Sequence, residues 1–294
     1  MSAFVALCDL SVVPVSYDFI TWLVRAKFEA ARANCDRLHV WIAPHTSGRG
    51  GVGRYWNEYD DAETVYRLQH IVLPACHLAG ATVTYSPLDF PPRNVLPAAT
   101  QTFPQTSRWH HAAALVDAVR RGETLPTLSA SEHALRLAHD YCASQGPRPV
   151  TITLRNTPPH ERDSAWPEWE RAIVGLVDRG FQPIILPDTR DALVTMAPAF
   201  AVDLDLRVAL YQTAALNLHV HSGAGALCWY TNAPHIMFGA CLPEEKWREH
   251  WRKHLHIEWG EQLPWFGRHQ RLVYEPDTAE TILREVDRWA GATS

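Results

Sequence analysis

Val150-Thr-Ile-Thr-Leu-Arg155 is the stretch from which the fold of this chain is read. Val150 to Leu154 is short, β-branched and apolar, the composition of a parallel strand buried on both faces. Arg155 stands where that strand stops. In an open α/β sheet the ligand crevice lies outside the carboxyl ends of the strands. A guanidinium at that place binds an anion through two parallel hydrogen bonds and stays charged. The residues that follow, Asn156, Thr157, His160, Glu161, Arg162, Asp163 and Ser164, make a polar loop. Two readings compete. Arg155 and Arg162 take an anionic ligand, or Arg155 pairs with Asp163 or Glu161 and ties down the loop.

Downstream, strands and helices alternate. Residues 164–179 read as a helix, and Phe181–Leu186 as a strand ended by Pro187-Asp188-Thr189. A weak strand or turn is expected at 199–202 and a helix at 205–216, with Asp205 placed as its cap. Leu218–His221 is a strand, and Ser222-Gly223-Ala224-Gly225-Ala226 opens the next helix. Strands follow at 235–238 and 272–274, and a terminal helix starts near Thr278. Three strand ends thus carry Arg155, Asp188 and the run His221, Ser222, Gly223, Ala224, Gly225. Small residues let a ligand approach the backbone, and a helix N-terminus offers unpaired N–H groups and a favourable dipole to phosphate. The alternative is that Ser222 only caps the helix and the glycines only allow packing. Asp188 either accepts hydrogen bonds from ribose hydroxyls or is a turn residue.

The N-terminal half shows the same alternation. Strands are expected at 3–8, 38–43 and 81–85, and helices at 18–33, 61–79, 108–121 and 130–144, with an irregular Pro-rich stretch at 87–105. Gln145-Gly-Pro-Arg-Pro149 reads as the domain boundary. The expected organisation is therefore two α/β lobes facing a cleft, residues 1–146 and 147–294, with parallel sheets and right-handed crossovers. His45-Thr-Ser-Gly-Arg-Gly-Gly-Val-Gly-Arg54 is a glycine-rich loop without the Lys-Ser/Thr of a phosphate-binding P-loop.

Composition excludes several classes. With 294 residues, 47% of them hydrophobic, the chain has material for two packed cores. A net charge of −5 argues against a nucleic-acid partner. No apolar run reaches the roughly 18 residues of a membrane span. Met1–Asp9 reads as a first strand and not as a signal peptide. The six cysteines form no CxxC pair, so buried thiols in a reducing, cytoplasmic setting are expected. Sixteen histidines include no HExxH spacing, and no metal site is expected. Asp203 and Asp205 form an acidic DxD pair, but they precede a helix. The stretch Trp247 to Lys253 is basic and aromatic. It reads as an amphipathic helix docked on the core, or as a contact to a membrane surface or a glycan.

Six motifs in order, Thr151–Arg155, Glu161–Ser164, Ile184–Thr189, Tyr211–Asn217, His221–Ala226 and Pro234–Gly239, resemble the donor-binding half of GT-B-type glycosyltransferases, in the manner of bacterial surface-polysaccharide loci. The strand ending in Arg155 is also similar to the fucosyltransferase pattern, with Thr153 where that pattern has His and Pro158 where it has Asp. The resemblance implies two Rossmann-like lobes, an acceptor side in 1–146 and a nucleotide-sugar side in 147–294. It implies inverting transfer from a nucleotide-diphosphate sugar to a glycan or lipid-linked acceptor, without a metal or other cofactor. Cationic and helix-terminal groups would stabilise the leaving diphosphate. Asp9, Asp18, His45 and Glu58 are the candidates for the base that activates the acceptor. A nucleotide-sugar hydrolase or epimerase, and a non-catalytic binding protein of polysaccharide assembly, remain alternatives on the same frame.

Overall fold

The computed structural model describes residues 3–10, 15–43, 61–86, 100–101, 108–155, 163–187, 198–239 and 244–293. The chain divides into two compact units, Met1–Leu128 and Ser129–Ser294.

The first unit is built on a parallel sheet of order β3-β2-β1-β4, with β1 (Ala3–Asp9), β2 (Arg37–Ala43), β3 (Thr82–Tyr85) and β4 (Thr100–Gln101). Phe4, Val5, Ala6 and Cys8 of β1 are buried, as a central strand covered on both faces requires. Helix α1 (Asp18–Arg32) buries Phe19, Ile20, Leu23, Ala26 and Ala30, a helical stripe, and packs on α4 (Arg108–Arg120). Between them, α2 (Asp61–Arg67) passes through a π turn (Leu68–Val72) into α3 (Leu73–Leu78). Pro74, near the start of α3, brings no N–H to the ladder, and the adjoining turn is the wider one. Strand β4 lies inside the Pro-rich stretch expected to be irregular.

The second unit carries a five-stranded parallel sheet of order β6-β5-β7-β8-β9. Its strands are β5 (Pro149–Leu154), β6 (Gln182–Pro187), β7 (Leu216–Val220), β8 (His235–Phe238) and β9 (Gln270–Val273). Its helices are α5 (Glu132–Gln145), α6 (Trp166–Asp178), α7 (Pro198–Val202), α8 (Leu204–Thr213), α9 (Ala226–Trp229), α10 (Glu244–Leu255) and α11 (Ala279–Thr293). The two faces of the sheet differ. Val150, Ile152, Leu216, Leu218, Ile236 and Phe238 form one apolar cluster with Trp169, Ala172 and Leu176 of α6 and Ile282 and Val286 of α11. The alternate side chains are polar and buried: Thr151, Thr153, Asn217, His219 and His235. The hydrogen-bonding ends of the threonines and Asn217 are matched. Thr151 Oγ1 donates to Asn217 Oδ1 at 2.5 Å, and Asn217 Nδ2 donates to the carbonyls of Tyr211 and Pro234 at 2.8 Å each. Thr153 Oγ1 and the Tyr211 hydroxyl are bonded at 2.8 Å.

Four sequence expectations are corrected. The break between units precedes α5, not the turn at 145–149. Ser131 caps α5, and both its N–H and its hydroxyl bond the Asp205 carboxylate, at 2.8 and 2.6 Å, while Ala130 N–H bonds Gln212 Oε1 at 2.9 Å. These contacts, with the Tyr141–Phe200 ring pair 4.8 Å apart, attach α5 to α7 and α8. Second, residues 198–202 are helical and not a strand or turn. Third, the cap of α8 is Asp203, whose Oδ1 accepts from Leu206 N–H at 2.9 Å. Both carboxylates of the DxD pair are therefore engaged within the fold. Fourth, β4 adds a strand to the first sheet. Among the described residues no helix is long and apolar enough to cross a membrane.

Asn217 joins two strands to α8 through three side-chain hydrogen bonds. Asn217→Ala should leave the Tyr211 carbonyl and the Thr151 hydroxyl buried without partners, while the Pro234 carbonyl keeps the backbone N–H of residue 217 at 3.0 Å, and cost about 1–3 kcal/mol. Urea unfolding would check it; a loss below about 1 kcal/mol would mean that water replaces the amide.

Candidate functional site at the carboxyl edge of the second sheet

In the second unit the chain runs from β5 outward to β6 and then returns to the other side of β5 as β7. The strand order therefore reverses between β5 and β7, and that switch point is where open α/β sheets receive ligands. Thr153 pairs in register with His219, so Arg155 leaves the sheet beside His221 and Ser222. Two of the three strand ends singled out in the sequence thus meet. Asp188, Arg162 and His45 lie outside the described residues, as does Glu58.

Arg155 is only 5% exposed, and its Nη1 donates to Asp163 Oδ1 at 2.8 Å. Its backbone N–H bonds Ser164 Oγ at 2.9 Å, and Ser164 N–H returns to the Arg155 carbonyl at 3.0 Å. Asp277, buried beneath, accepts from Ala165 N–H at 3.1 Å and from Trp169 Nε1 at 2.6 Å. The base of the 156–162 loop is therefore pinned on both sides. The ion pair with Asp163, one of the two sequence readings, is present.

The run after β7 has a tighter local explanation than a helix N-terminus. Ser222 Oγ accepts from Gly225 N–H at 3.1 Å and closes a turn, and α9 has only four residues, beginning at Ala226. A Cβ on Gly225 would stand 2.2 Å from His219 Nδ1, so glycine is required by the imidazole beneath it. A Cβ on Gly239, at the end of β8, would meet the Val273 carbonyl at 2.8 Å. His221 lies at the edge, its ring stacked on Trp229 with 5.9 Å between centroids and Trp251 edge-on at 6.2 Å.

Residues that the sequence reading passed over complete the edge. Arg207, 1% exposed, donates from Nη2 to the Pro187 carbonyl at the end of β6 and from Nη1 to Ala201 O at 3.3 Å. Its signal in the sequence is an Arg enclosed by Leu206, Val208, Ala209 and Leu210 within a helix. His219 and His235 lie 5.5 Å apart, fully buried. His219 Nδ1–H donates to Val220 O at 3.1 Å, and His235 Nδ1–H to Ala233 O at 3.2 Å. Neither Nε2 has a hydrogen-bond partner. Protonation would place an unmatched N–H and a charge in the core, so burial pushes His219 down to about 4 and His235 down to about 3.

In the first unit, Asp9 ends β1, and the order β3-β2-β1-β4 puts a switch point beside it. Asp18 opens α1; Ser16 Oγ donates to its carboxylate at 3.1 Å and accepts its N–H at 3.2 Å, so this acid belongs to the helix start. The described cysteines are all free. Burial raises the thiols of Cys8 and Cys228, and pushes Cys76 up to about 12 and Cys142 up to about 11, so they are inert at neutral pH. Among the described residues no group of three or more His, Cys, Asp or Glu is placed to hold a metal. Trp251 of α10 is buried, which gives that helix an ordinary docked face.

Comparison with known proteins bears on the fold. No protein-family model matches the chain, and no curated protein matches it by sequence. A glycosyl transferase family 9 structure from Veillonella parvula superimposes with a TM-score of 0.53 at 10% identity, covering 98% of this chain and 97% of that one. The E. coli ADP-heptose LPS heptosyltransferase II gives 0.51 at 10% identity, with 98% of each chain covered. The chain spans 58% of the length of the iron-containing dodecameric glycosyltransferase TibC of enterotoxigenic E. coli, at a TM-score of 0.41 and 15% identity. The protein has the GT-B-type fold of two Rossmann-like units.

Two measurements check this account of the edge. Free imidazoles take up a proton near pH 6.5, whereas the buried pair resists until about 4 and 3. In that window the unfolded chain binds more protons, so stability falls as pH drops below about 6, by roughly 1 kcal/mol per histidine per pH unit. Unfolding midpoints between pH 7 and 5 should show this acid loss, and His235→Gln should flatten it. Separately, Gly225→Ala should cost about 1–3 kcal/mol by overpacking. In a His219→Ala background the same change should cost much less, since the clashing ring is gone; equal costs would refute the contact.

Proposed function

We propose that the protein is a glycosyltransferase that moves a sugar from a nucleotide-diphosphate donor to a glycan or lipid-linked acceptor. The observation that carries this reading is the buried Arg155 at the β5–β7 switch point, within a fold matched over almost its whole length by a glycosyltransferase structure. In the reading, the Asp163 carboxylate marks the place of a phosphate oxygen, and the donor diphosphate displaces it from the guanidinium. Backbone N–H groups of Gly223 and Ala224, with His221 and Ser222, would face the same group. Arg162 and Asp188 would add a second cation and a ribose contact. The second unit is then the nucleotide-sugar side and the first the acceptor side, with a base at Asp9 in preference to Asp18, which is tied to Ser16. His45 remains a candidate from the sequence. The fucosyltransferase-like pattern at Arg155 enters only as the precedent for an arginine on the diphosphate.

Because one of the structures of like fold is the E. coli ADP-heptose LPS heptosyltransferase II, an ADP-activated sugar is the first donor to test. A lipid-linked acceptor would bring the protein to a membrane surface, and the free thiols fit a cytoplasmic place in polysaccharide assembly. Leaving-group stabilisation by Arg155 makes transfer independent of divalent metal.

Calorimetry with ADP, UDP and GDP should find one nucleotide whose affinity falls by about 1.5–3 kcal/mol in Arg155→Ala; unchanged affinity in a folded variant would end the proposal. With the donor known, turnover should persist in excess EDTA, and recovery by magnesium or manganese after a loss would overturn the metal-free mechanism. Asp9→Asn should lower kcat by about 10²–10⁴-fold and leave donor binding intact if Asp9 is the base. Release of free sugar without transfer would identify a hydrolase instead.

A further inference from the structure

We propose that one face of α10, together with the turn at Glu258–Trp259, is a pocket for an uncharged carbohydrate, separate from the switch-point site. The pocket encloses about 700 Å3 and is lined by Glu245, Arg248, Glu249, Arg252, Glu258 and Trp259. That volume lies in the range of small-molecule sites, roughly 300–1,000 Å3.

Glu245 and Glu249 are four residues apart and alike in charge, and so are Arg248 and Arg252; both pairings weaken a helix. Glu249 and Arg252 are opposite in charge at the three-residue spacing where helix ion pairs close, yet no ion pair joins them. Both, like Glu245, are exposed and line the pocket. Glu249 and Arg252 are therefore open to partners that another molecule supplies.

Trp259 gives the pocket its apolar floor. It is half-buried, and its ring is held against Tyr274 with 4.6 Å between centroids. Trp259 lines the pocket, and the Arg248 guanidinium carbon stands 5.9 Å from its ring centroid, at the outer limit of a cation–π contact. A pyranose offers the matching chemistry: axial C–H groups for the indole face, and hydroxyls that donate to carboxylates and accept from guanidiniums. Among the described lining residues, three carboxylates stand against two guanidiniums, which disfavours an anionic ligand, whether a phosphate or a membrane of acidic lipid.

The inference does not depend on the donor site, and its test keeps the two apart. Saturation-transfer NMR on the intact protein would use the methyl glycosides of glucose, galactose and mannose, with lactose and maltose. At least one should bind, with saturation strongest on the ring face that meets the indole. Trp259→Ala should abolish the signal. Glu249→Ala and Arg252→Ala, which remove no hydrogen bond or ion pair among the described residues, should weaken binding by about threefold or more with an unchanged unfolding midpoint. Saturating ADP should leave the sugar in place. The proposal is overturned if no saccharide binds below about 20 mM, if the Glu249 and Arg252 variants bind as wild type, if ADP displaces the sugar, or if only vesicles of phosphatidylcholine with phosphatidylglycerol are retained.

Discussion

The pairing of β5 with β7 is the constraint on which the second unit depends. Parallel strands buried on both faces have no solvent to satisfy a misplaced polar group, so their register must be fixed from within. Here the Thr151–Asn217 hydrogen bond does so across the two strands, and Asn217 extends the tie to the carbonyls of Tyr211 and Pro234. Slipping β5 by one residue would turn Thr151 and Thr153 into the apolar cluster around Trp169 and expose Val150 and Ile152 to the polar side. The same register decides that Arg155 and His221 leave the sheet side by side.

Above that base, the edge is held by contacts between neighbouring elements. Asp163, Ser164 and Asp277 fix the ends of the loop after β5, and the Ser222–Gly225 turn is shaped by the ring of His219. A buried guanidinium is expensive unless matched. Arg155 meets this with a carboxylate on its own loop, and Arg207 draws on backbone carbonyls at the end of β6. Two cations thus reach the carboxyl edge from different elements.

An aromatic series links this edge to α10. His221 touches Trp251, Trp251 touches Tyr274 at 5.5 Å, and Tyr274 carries Trp259. Trp229, Trp251 and Trp259 take part in this series. The charged residues of the other face of α10 are left to the solvent-side pocket.

The sequence by itself determined the α/β class, most strand and helix positions, and the strand-end placement of Arg155, because β-branched runs, helical stripes and turn residues are local signals that tertiary context did not override. It also offered the Arg155–Asp163 pair as one of two readings, since the two residues stand only eight positions apart in the chain. Only the tertiary structure decided the rest. Strand order, and with it the switch point, comes from long-range pairing that no local pattern encodes. The attachment of α5 to the second unit depends on Asp205 and Gln212, more than 70 residues away. Gly225 looked like a ligand-binding glycine until the His219 ring was seen beneath it. The buried polar face of the sheet was invisible for the same reason: the partner that makes a buried Thr, Asn or Arg tolerable lies far off in the chain and close only in space.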